Sequence, residues 1–321
     1  MSGTNPVAGG GLSDIWKGKI TEKGTVALKA FRIYDKSVQE KALKNFSHEA
    51  VMWRQLRHPN ILPFYGVFKG NQHFDRLCLV SPWMDAGNVI DYLNVHTDVN
   101  RLALLSDIAQ GLAYLHLSEP PIIHGDLKGA NIFVTPSLTA CLGDFGLTRF
   151  RASQESTCGA TTGNAKGTLR WQAPELFNIV GEDSIPWSEK CDIYSFGCVC
   201  LELMTGKPPF SEIRHDGAVM MAIAKGQIPQ RPLQSVLERG LDDSLWACMQ
   251  QCWNSDPALR PTAVQLVEYF KGHQRESRAA TENDVDVSQR PRASLGQYGF
   301  PNEYVSAVSG GKENSGGAEQ V

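Results

Sequence analysis

With 321 residues, 42% of them hydrophobic, the chain is long enough to bury a substantial core in one to three domains. A net charge of -3 supplies no overall attraction to nucleic acid or an anionic membrane, and neither is expected as a partner. The opening MSGTNPVAGGGLSD lacks the basic start and apolar segment of a secretory signal, and the longest apolar run, IYSFGCVCLELM, is too short to span a bilayer.

With no membrane anchor visible, the eight cysteines are expected to be reduced thiols of a soluble cytoplasmic protein. Cys248 and Cys252 are spaced i,i+4, but no second ligand pair accompanies them, so no zinc site is expected.

In chain order, the stretches DIWKGKI and GTVALKAFRI are rich in β-branched and aromatic residues and are joined by the turn TEKG, which reads as a hairpin. Strand alternation puts Ala27, Lys29 and Phe31 on one face and Val26 and Leu28 on the other. From Val38 to Arg57 the period becomes helical, with Ala42, Phe46, Ala50 and Trp53 on one stripe and Glu49 at its edge; RHPN ends it, because the residue before Pro59 is pushed out of the α region. After LCLVSPWMDAGN the character turns helical. VNRLALLSDIAQGLAYLHL carries Leu105, Ile108, Leu112 and Leu115 at helical spacing and stops at Pro120-Pro121. CDIYSFGCVCLELMTG is apolar nearly all round, a core helix closed by Gly206. Two or three further helices follow, ending near Phe270. From about Gly272 the sequence is rich in Ser, Gly, Asn, Gln and Glu, and its few large apolar residues cannot offset the entropy of ordering; 272–321 is expected to be a disordered tail.

The chemistry-bearing residues interrupt these elements. Lys29 lies on a strand and Glu49 on the following helix with apolar neighbours on both sides, where a core-facing carboxylate wants a cation. In HGDLKGAN, Asp126 and Asn131 stand five apart in a loop between helix and strand. That spacing lets a carboxylate accept a hydroxyl proton while an amide oxygen holds Mg²⁺, with Lys128 between them to neutralise a phosphoryl group. Thirteen residues past Asn131 comes Asp144 in LGDFGLTR, a second oxygen donor for Mg²⁺, followed by an apolar Phe145 and a flexible Gly146. A strand lysine or a polar turn would each be ordinary alone; their order along one chain is what points to phosphoryl transfer.

With VALK, Glu49, HGDLKGAN, DFG, GTLRWQAPE, DIYSFG and CWNSDPALRPT in that order, the chain resembles a eukaryotic protein kinase domain over residues 6–271. The ending CW…DP…RP and GTLRWQAPE resemble the tyrosine-kinase-like group, particularly a fungal branch of it, and Lys128 with Thr168 resembles Ser/Thr specificity. The resemblance implies an α+β, two-lobed kinase fold: an antiparallel sheet with one helix over about 6–83 and a larger helical lobe over about 84–271. ATP binds between the lobes with Mg²⁺, and the substrates are Ser/Thr hydroxyls of proteins. It implies Asp126, Lys128, Lys29 and Glu49 as catalytic residues and Asn131 and Asp144 as metal ligands. ATP contacts are implied for Gly9, Gly10, Gly11, Ile15, Ala27, Lys29, Ser81, Pro82, Met84, Phe133 and Asp144. In this scheme Ser81 is a small gatekeeper. Pro82 offers the adenine its carbonyl and Met84 its N–H, so the missing proline N–H costs nothing there. A Glu175–Arg260 pair, an Asp192 anchor for the catalytic loop and a stack of His124, Phe145, Trp53 and Phe64 are implied as structural.

Two places depart from the family pattern. The glycine loop reads AGGGLS, with Ala8 and Ser13 where the first and third glycines of G-x-G-x-x-G would stand. This keeps a second reading open, a pseudokinase that binds or scaffolds without turnover, against which stand Lys29, Asp126, Asn131 and Asp144. A small-molecule kinase is disfavoured by GTLRWQAPE, which resembles a peptide-docking segment. The other departure is Gly125, where most protein kinases have an arginine that grips an activation-loop phosphate. The hydroxyls at Thr148, Ser153, Ser156, Thr157, Thr161, Thr162 and Thr168 are candidate phosphosites, but without that guanidinium the activity is expected not to depend strongly on their phosphorylation. Thr168 alone is expected to matter as a side chain, because its match in the family hydrogen-bonds the catalytic Asp and Lys.

Overall fold

The computed structural model describes residues 5–9, 13–31, 36–70, 74, 76–150, 167–177, 187–232 and 239–273, the side chains of 36–42, 149 and 150 excepted. All of these residues fall in one compact unit, Met1–Glu276.

The first part is a five-stranded antiparallel sheet built from β1 (Ala8–Gly9), β2 (Ser13–Ile20), β3 (Gly24–Phe31), β4 (Gly66–Phe68) and β5 (Cys78–Pro82), in the order β1-β2-β3-β5-β4. The alternation along β3 works as its sequence demands. Val26, Leu28 and Ala30 pack with Cys78 and Val80 under Trp16, Tyr65, Phe68 and Phe74 on one face of the sheet. Lys29 and Ala27 take the other face, level with Ile15 and Ser81 in the neighbouring strands.

Helix α1 (Lys36–Gln55) crosses that second face and buries Phe46, Met52 and Trp53. It ends two residues before the expected Arg57. The Leu56 N–H closes a tighter turn on the Trp53 carbonyl (3.1 Å), and the Arg57 N–H is drawn off to the Tyr114 hydroxyl (2.9 Å).

The rest is helical: α2 (Val89–Val95), α3 (Arg101–His116), α4 (Glu189–Thr205), α5 (Asp216–Ala224), α6 (Asp243–Cys252) and a last helix, α7, over 263–273. Helix α2 has no counterpart in the sequence reading; Asn88 caps it by accepting the Ile90 and Asp91 N–H groups on its side chain. Asn100 caps α3 in the same way through Ala103. Helix α4 is buried from Cys191 to Met204 and ends on Gly206 in the left-handed conformation. The short strands β6 (Ile122–Ile123) and β9 (Arg149–Phe150) pair with each other, as do β7 (Ile132–Val134) and β8 (Ala140–Leu142). They bracket the HGDLKGAN and Asp-Phe-Gly segments. One apolar cluster runs without a break from Phe31, Trp53 and Leu79 through Phe145 into α3, α4 and α6, so the two lobes share a core. Among the described residues no helix is long and apolar enough to cross a membrane.

Candidate active site

Strand β3 and helix α1 bring Lys29 and Glu49 together, and the loop after β8 adds Asp144. The Lys29 ammonium donates to Glu49 Oε1 at 2.7 Å and to Asp144 Oδ1 at 2.6 Å. Burial pulls the Lys29 pKa down, but the two carboxylates overcome it and hold the ammonium above its ordinary range. For Asp144, burial works upward and Lys29 outweighs it, so the carboxyl lies below its ordinary value. Glu49 goes the other way: burial pushes its carboxyl up further than Lys29 can draw it down. Gly146 packs closely beside this cluster. A β-carbon there would lie 3.2 Å from Glu49 Oε2 and 3.4 Å from Asp144 Oδ1.

The loop between β6 and β7 is suspended from α4. Asp192, fully buried, accepts the backbone N–H of His124 on Oδ2 (2.8 Å) and of Gly125 on Oδ1 (3.0 Å), and the His116 ring bonds to Oδ2 at 3.0 Å. Gly125 takes φ +78°, and a β-carbon on it would come within 2.8 Å of the Leu147 carbonyl oxygen. Next along the chain, Asp126 accepts Lys128 Nζ on both carboxylate oxygens (3.1 and 2.9 Å) and Asn131 Nδ2 on Oδ2 (2.8 Å). Lys128 also donates to the Thr168 hydroxyl at 2.7 Å, tying the loop to the GTLRWQAPE segment.

Phe145 is completely buried, its ring 5.5 Å from both Trp53 and His124, and Trp53 stacks on Phe64 at 5.2 Å. The four rings named from the resemblance therefore form one column through both lobes. Asp144, at its edge, holds φ +62°, uncommon for a residue with a side chain. Helix α1 reaches the same segment a second time, His48 Nε2 donating to the Thr148 carbonyl at 2.7 Å.

Around the expected base pocket, Ala27 is level with Ser81, Ile15 with Lys29, and Phe133 bridges to Asn88. Met84 is half-buried against the shared core, with its carbonyl accepting the Gly87 N–H. Gly9 pairs with Asp14 in the β1–β2 ladder; Gly10 and Gly11 lie outside the described residues. Ser13, in place of the third loop glycine, sits in extended β2 backbone opposite Phe31 and needs no left-handed conformation.

The profile of the family described as protein tyrosine and serine/threonine kinase matches residues 3–270. The chain belongs to this family. Among curated relatives it is 30% identical over 266 residues to the serine/threonine-protein kinase STY17 of Arabidopsis thaliana, covering 82% of this chain and 42% of that one. It is 34% identical over 230 residues to the RAF proto-oncogene serine/threonine-protein kinase of Xenopus laevis, 69% of this chain and 33% of that one. With the dual specificity protein kinase splA of Dictyostelium discoideum it shares 31% over 257 residues, 74% of this chain and 10% of that one. The chain thus spans about two fifths of the length of the plant relative and a third of the frog one. These relatives place the kinase domain in the tyrosine-kinase-like group.

Within this kinase domain the structure also shows groups that sequence reasoning passed over. Glu202, one turn before the end of α4, accepts the Gly129 N–H and the Trp171 indole N–H, both at 2.9 Å, and so locks the catalytic loop to GTLRWQAPE. Its signal was a carboxylate in the apolar stretch that fills the second half of the helix. Arg170 donates to the carbonyls of Phe210 (2.7 Å) and Ile213 (2.9 Å) and to Asp216 (3.1 Å), fastening the same segment to α5. The Glu175–Arg260 pair, by contrast, was implied by the resemblance, and here it is two-pronged and buried at 2.7 and 2.8 Å. Of the candidate phosphosites, Thr148 is 1% exposed and bonded to the His124 carbonyl, and Thr168 is 7% exposed and bonded to Lys128. Neither hydroxyl is open to another kinase in this arrangement. Ser153, Ser156, Thr157, Thr161 and Thr162 lie outside the described residues.

Proposed function

We propose that this kinase domain transfers the γ-phosphoryl group of ATP, with Mg²⁺, to serine and threonine hydroxyls of protein substrates. The observation that carries the reading is Lys29 bound at once to Glu49 and Asp144, at 2.7 and 2.6 Å, with Phe145 stacked behind. A cation suited to phosphate and a carboxylate suited to a metal ion are thereby held side by side.

The residues suit the cofactor. Asn131 donates its amide N–H to Asp126, which leaves its carbonyl oxygen for a cation, and Asp144 uses Oδ1 on Lys29 with Oδ2 left over. Two such hard oxygens fit Mg²⁺, which takes few protein ligands and the rest from phosphate and water. Bound Mg-ATP supplies the activated phosphoryl group. Lys29 holds phosphate charge, and its raised pKa keeps it cationic at neutral pH. Asp126 orients the acceptor hydroxyl and takes its proton at Oδ1, the oxygen not engaged by Asn131. Lys128, already bonded to Asp126 and Thr168, lies where it can offset charge on the transferring group. Ser/Thr rather than Tyr acceptors are supported by Lys128 with Thr168 and by the names of the plant and frog relatives. A cytoplasmic setting fits the seven described cysteines, all buried free thiols.

The test is transfer of labelled phosphate from ATP to a generic protein, followed by analysis of the phosphorylated amino acid. Asp144→Asn should abolish transfer, Lys29→Met should nearly do so, and Asp126→Asn should cost on the order of 10²–10⁴ in turnover. The AGGGLS loop favours one competing reading, a pseudokinase scaffold. Wild-type protein that binds nucleotide but transfers nothing would establish that reading instead.

A further inference from the structure

A cavity of about 220 Å³ opens where the C-terminal end of α4 meets α2 and the start of α3. Its walls mix polar and apolar groups and carry three cations, Arg101, Lys207 and Arg239, with Leu93, Asn94 and Thr97 also on the lining. Arg101 is only 5% exposed. Its guanidinium donates to the carbonyls of Leu203 (3.1 Å) and Thr97 (3.0 Å), and Arg239 donates to that of Met204 (3.2 Å). These acceptors belong mostly to the end of α4, whose dipole amounts to about half a negative charge. That offsets a fraction of the positive charge gathered there.

Among the described residues the neighbouring carboxylates have other partners, and Glu202 is itself part of the cavity wall. Glu202 faces Gly129 and Trp171, Asp243 pairs with Arg231, Asp242 caps α6, and Asp98 takes the Thr97 hydroxyl. Burial and the adjacent Arg239 both hold Arg101 below its ordinary range, with no acid opposing them. Among the described residues, then, a buried guanidinium faces a second one without a counter-ion, an arrangement that is costly unless an anion completes it.

We infer that this cavity is an oxyanion site for a phosphoryl group carried on a protein: the phosphoserine or phosphothreonine of a substrate already phosphorylated at another position. Planar guanidinium forks match a phosphate dianion better than a single carboxylate does. The cavity also backs directly onto the catalytic loop. Ile90, on its wall, lies so near Gly129 that a β-carbon there would be 2.5 Å away, and Glu202, also on the wall, holds the Gly129 N–H. An anchored phosphoryl group would therefore lie across one wall from the loop that carries Asp126. The inference rests on the protein-kinase reading above, but its test does not depend on turnover.

The experiment measures binding to the full chain, held at saturating non-hydrolysable ATP analogue so that the nucleotide site is closed to phosphate. The probes are a neutral peptide with one phosphoserine, the same peptide unphosphorylated, and inorganic phosphate. The phosphopeptide should bind about tenfold to a hundredfold tighter than its unphosphorylated form. Arg239→Gln with Lys207→Gln, both at exposed positions, should erase that preference while leaving the melting temperature and nucleotide binding in place. Equal binding of the two peptides, or a preference that survives the double substitution, would overturn the inference. So would inorganic phosphate binding at Arg239 and Lys207 without any gain for the phosphopeptide. Preferential phosphopeptide binding by a chain that transfers no phosphate would sink the catalytic reading alone.

Discussion

Gly125 and Leu147 approach so closely that a β-carbon on the glycine would sit 2.8 Å from the leucine carbonyl oxygen, at a φ of +78°. The neighbouring bonds to Asp192 fix the backbone there, so the strain of a side chain has nowhere to go. Gly125→Ala should cost about 1–3 kcal/mol, the left-handed penalty plus the contact, read as a lowered denaturant midpoint. An unchanged midpoint would mean that the loop can relax away from Leu147.

The same glycine removes the guanidinium that most kinases use to hold a phosphorylated loop. Phosphatase-treated enzyme should keep most of its rate, because a loop phosphate lacks its usual one to three charge-assisted bonds. Alanine at Thr157 or Thr161 should be mild for the same reason. A rate collapse of roughly a hundredfold on dephosphorylation, restored by rephosphorylation, would require another cation to take that role.

Asp192 sets an acid limit on the fold. Burial pushes its carboxyl up, but the His116 bond, the nearby His124 ring and the Gly125 N–H overcome it, and the folded pKa lies below the ordinary value. A depressed carboxyl pKa stabilises fully above the unfolded value of about 3.9 and loses that contribution as pH falls through the folded one. Asp192→Ala should destabilise by about 2–6 kcal/mol near neutrality, leaving two buried N–H groups without an acceptor. The gap from wild type should close only below about pH 4. Urea titrations over a pH series measure it, and a gap already gone at pH 5 would count against the assignment.

Arg170 is expected to position the substrate segment. Two residues after Thr168, it holds the carbonyl of Phe210, a buried residue at φ +55°, and the Asp216 carboxylate at the start of α5. Arg170→Met should raise KM for protein substrate by roughly tenfold to a hundredfold through misplacement, with KM for ATP unchanged. Arg170→Lys, which keeps charge but not the fork, should recover part of the loss. Parallel rises in both KM values would point to general loosening instead.

The parts of this molecule legible in its sequence are those whose geometry is local. Asp126, Lys128 and Asn131 meet within one loop, and the β3 alternation alone puts Lys29 opposite Val26 and Leu28. Lys29, Glu49 and Asp144 meet across the fold; a carboxylate among apolar neighbours hinted at the Lys29–Glu49 pair, but nothing local in the sequence puts Asp144 on the same ammonium. What stayed hidden was long-range or too short to show a period. His116 and Asp192 are 76 residues apart, and Arg101 finds the Leu203 carbonyl across 102; in sequence that arginine is an ordinary first-turn helix residue. Helix α2, at seven residues, is barely two turns, and its one clear sign was Asn88 as a cap.

The ring column through the lobes has a spectroscopic consequence. Trp53 is 3% exposed, its indole N–H is bound to the Leu62 carbonyl at 2.6 Å, and Phe145 stands 5.5 Å from its ring. Any rearrangement that swings Phe145 out of the core must admit water beside that indole. The protein carries its own optical reporter of the shift, read as red-shifted tryptophan emission absent from Trp53→Phe, with no label attached.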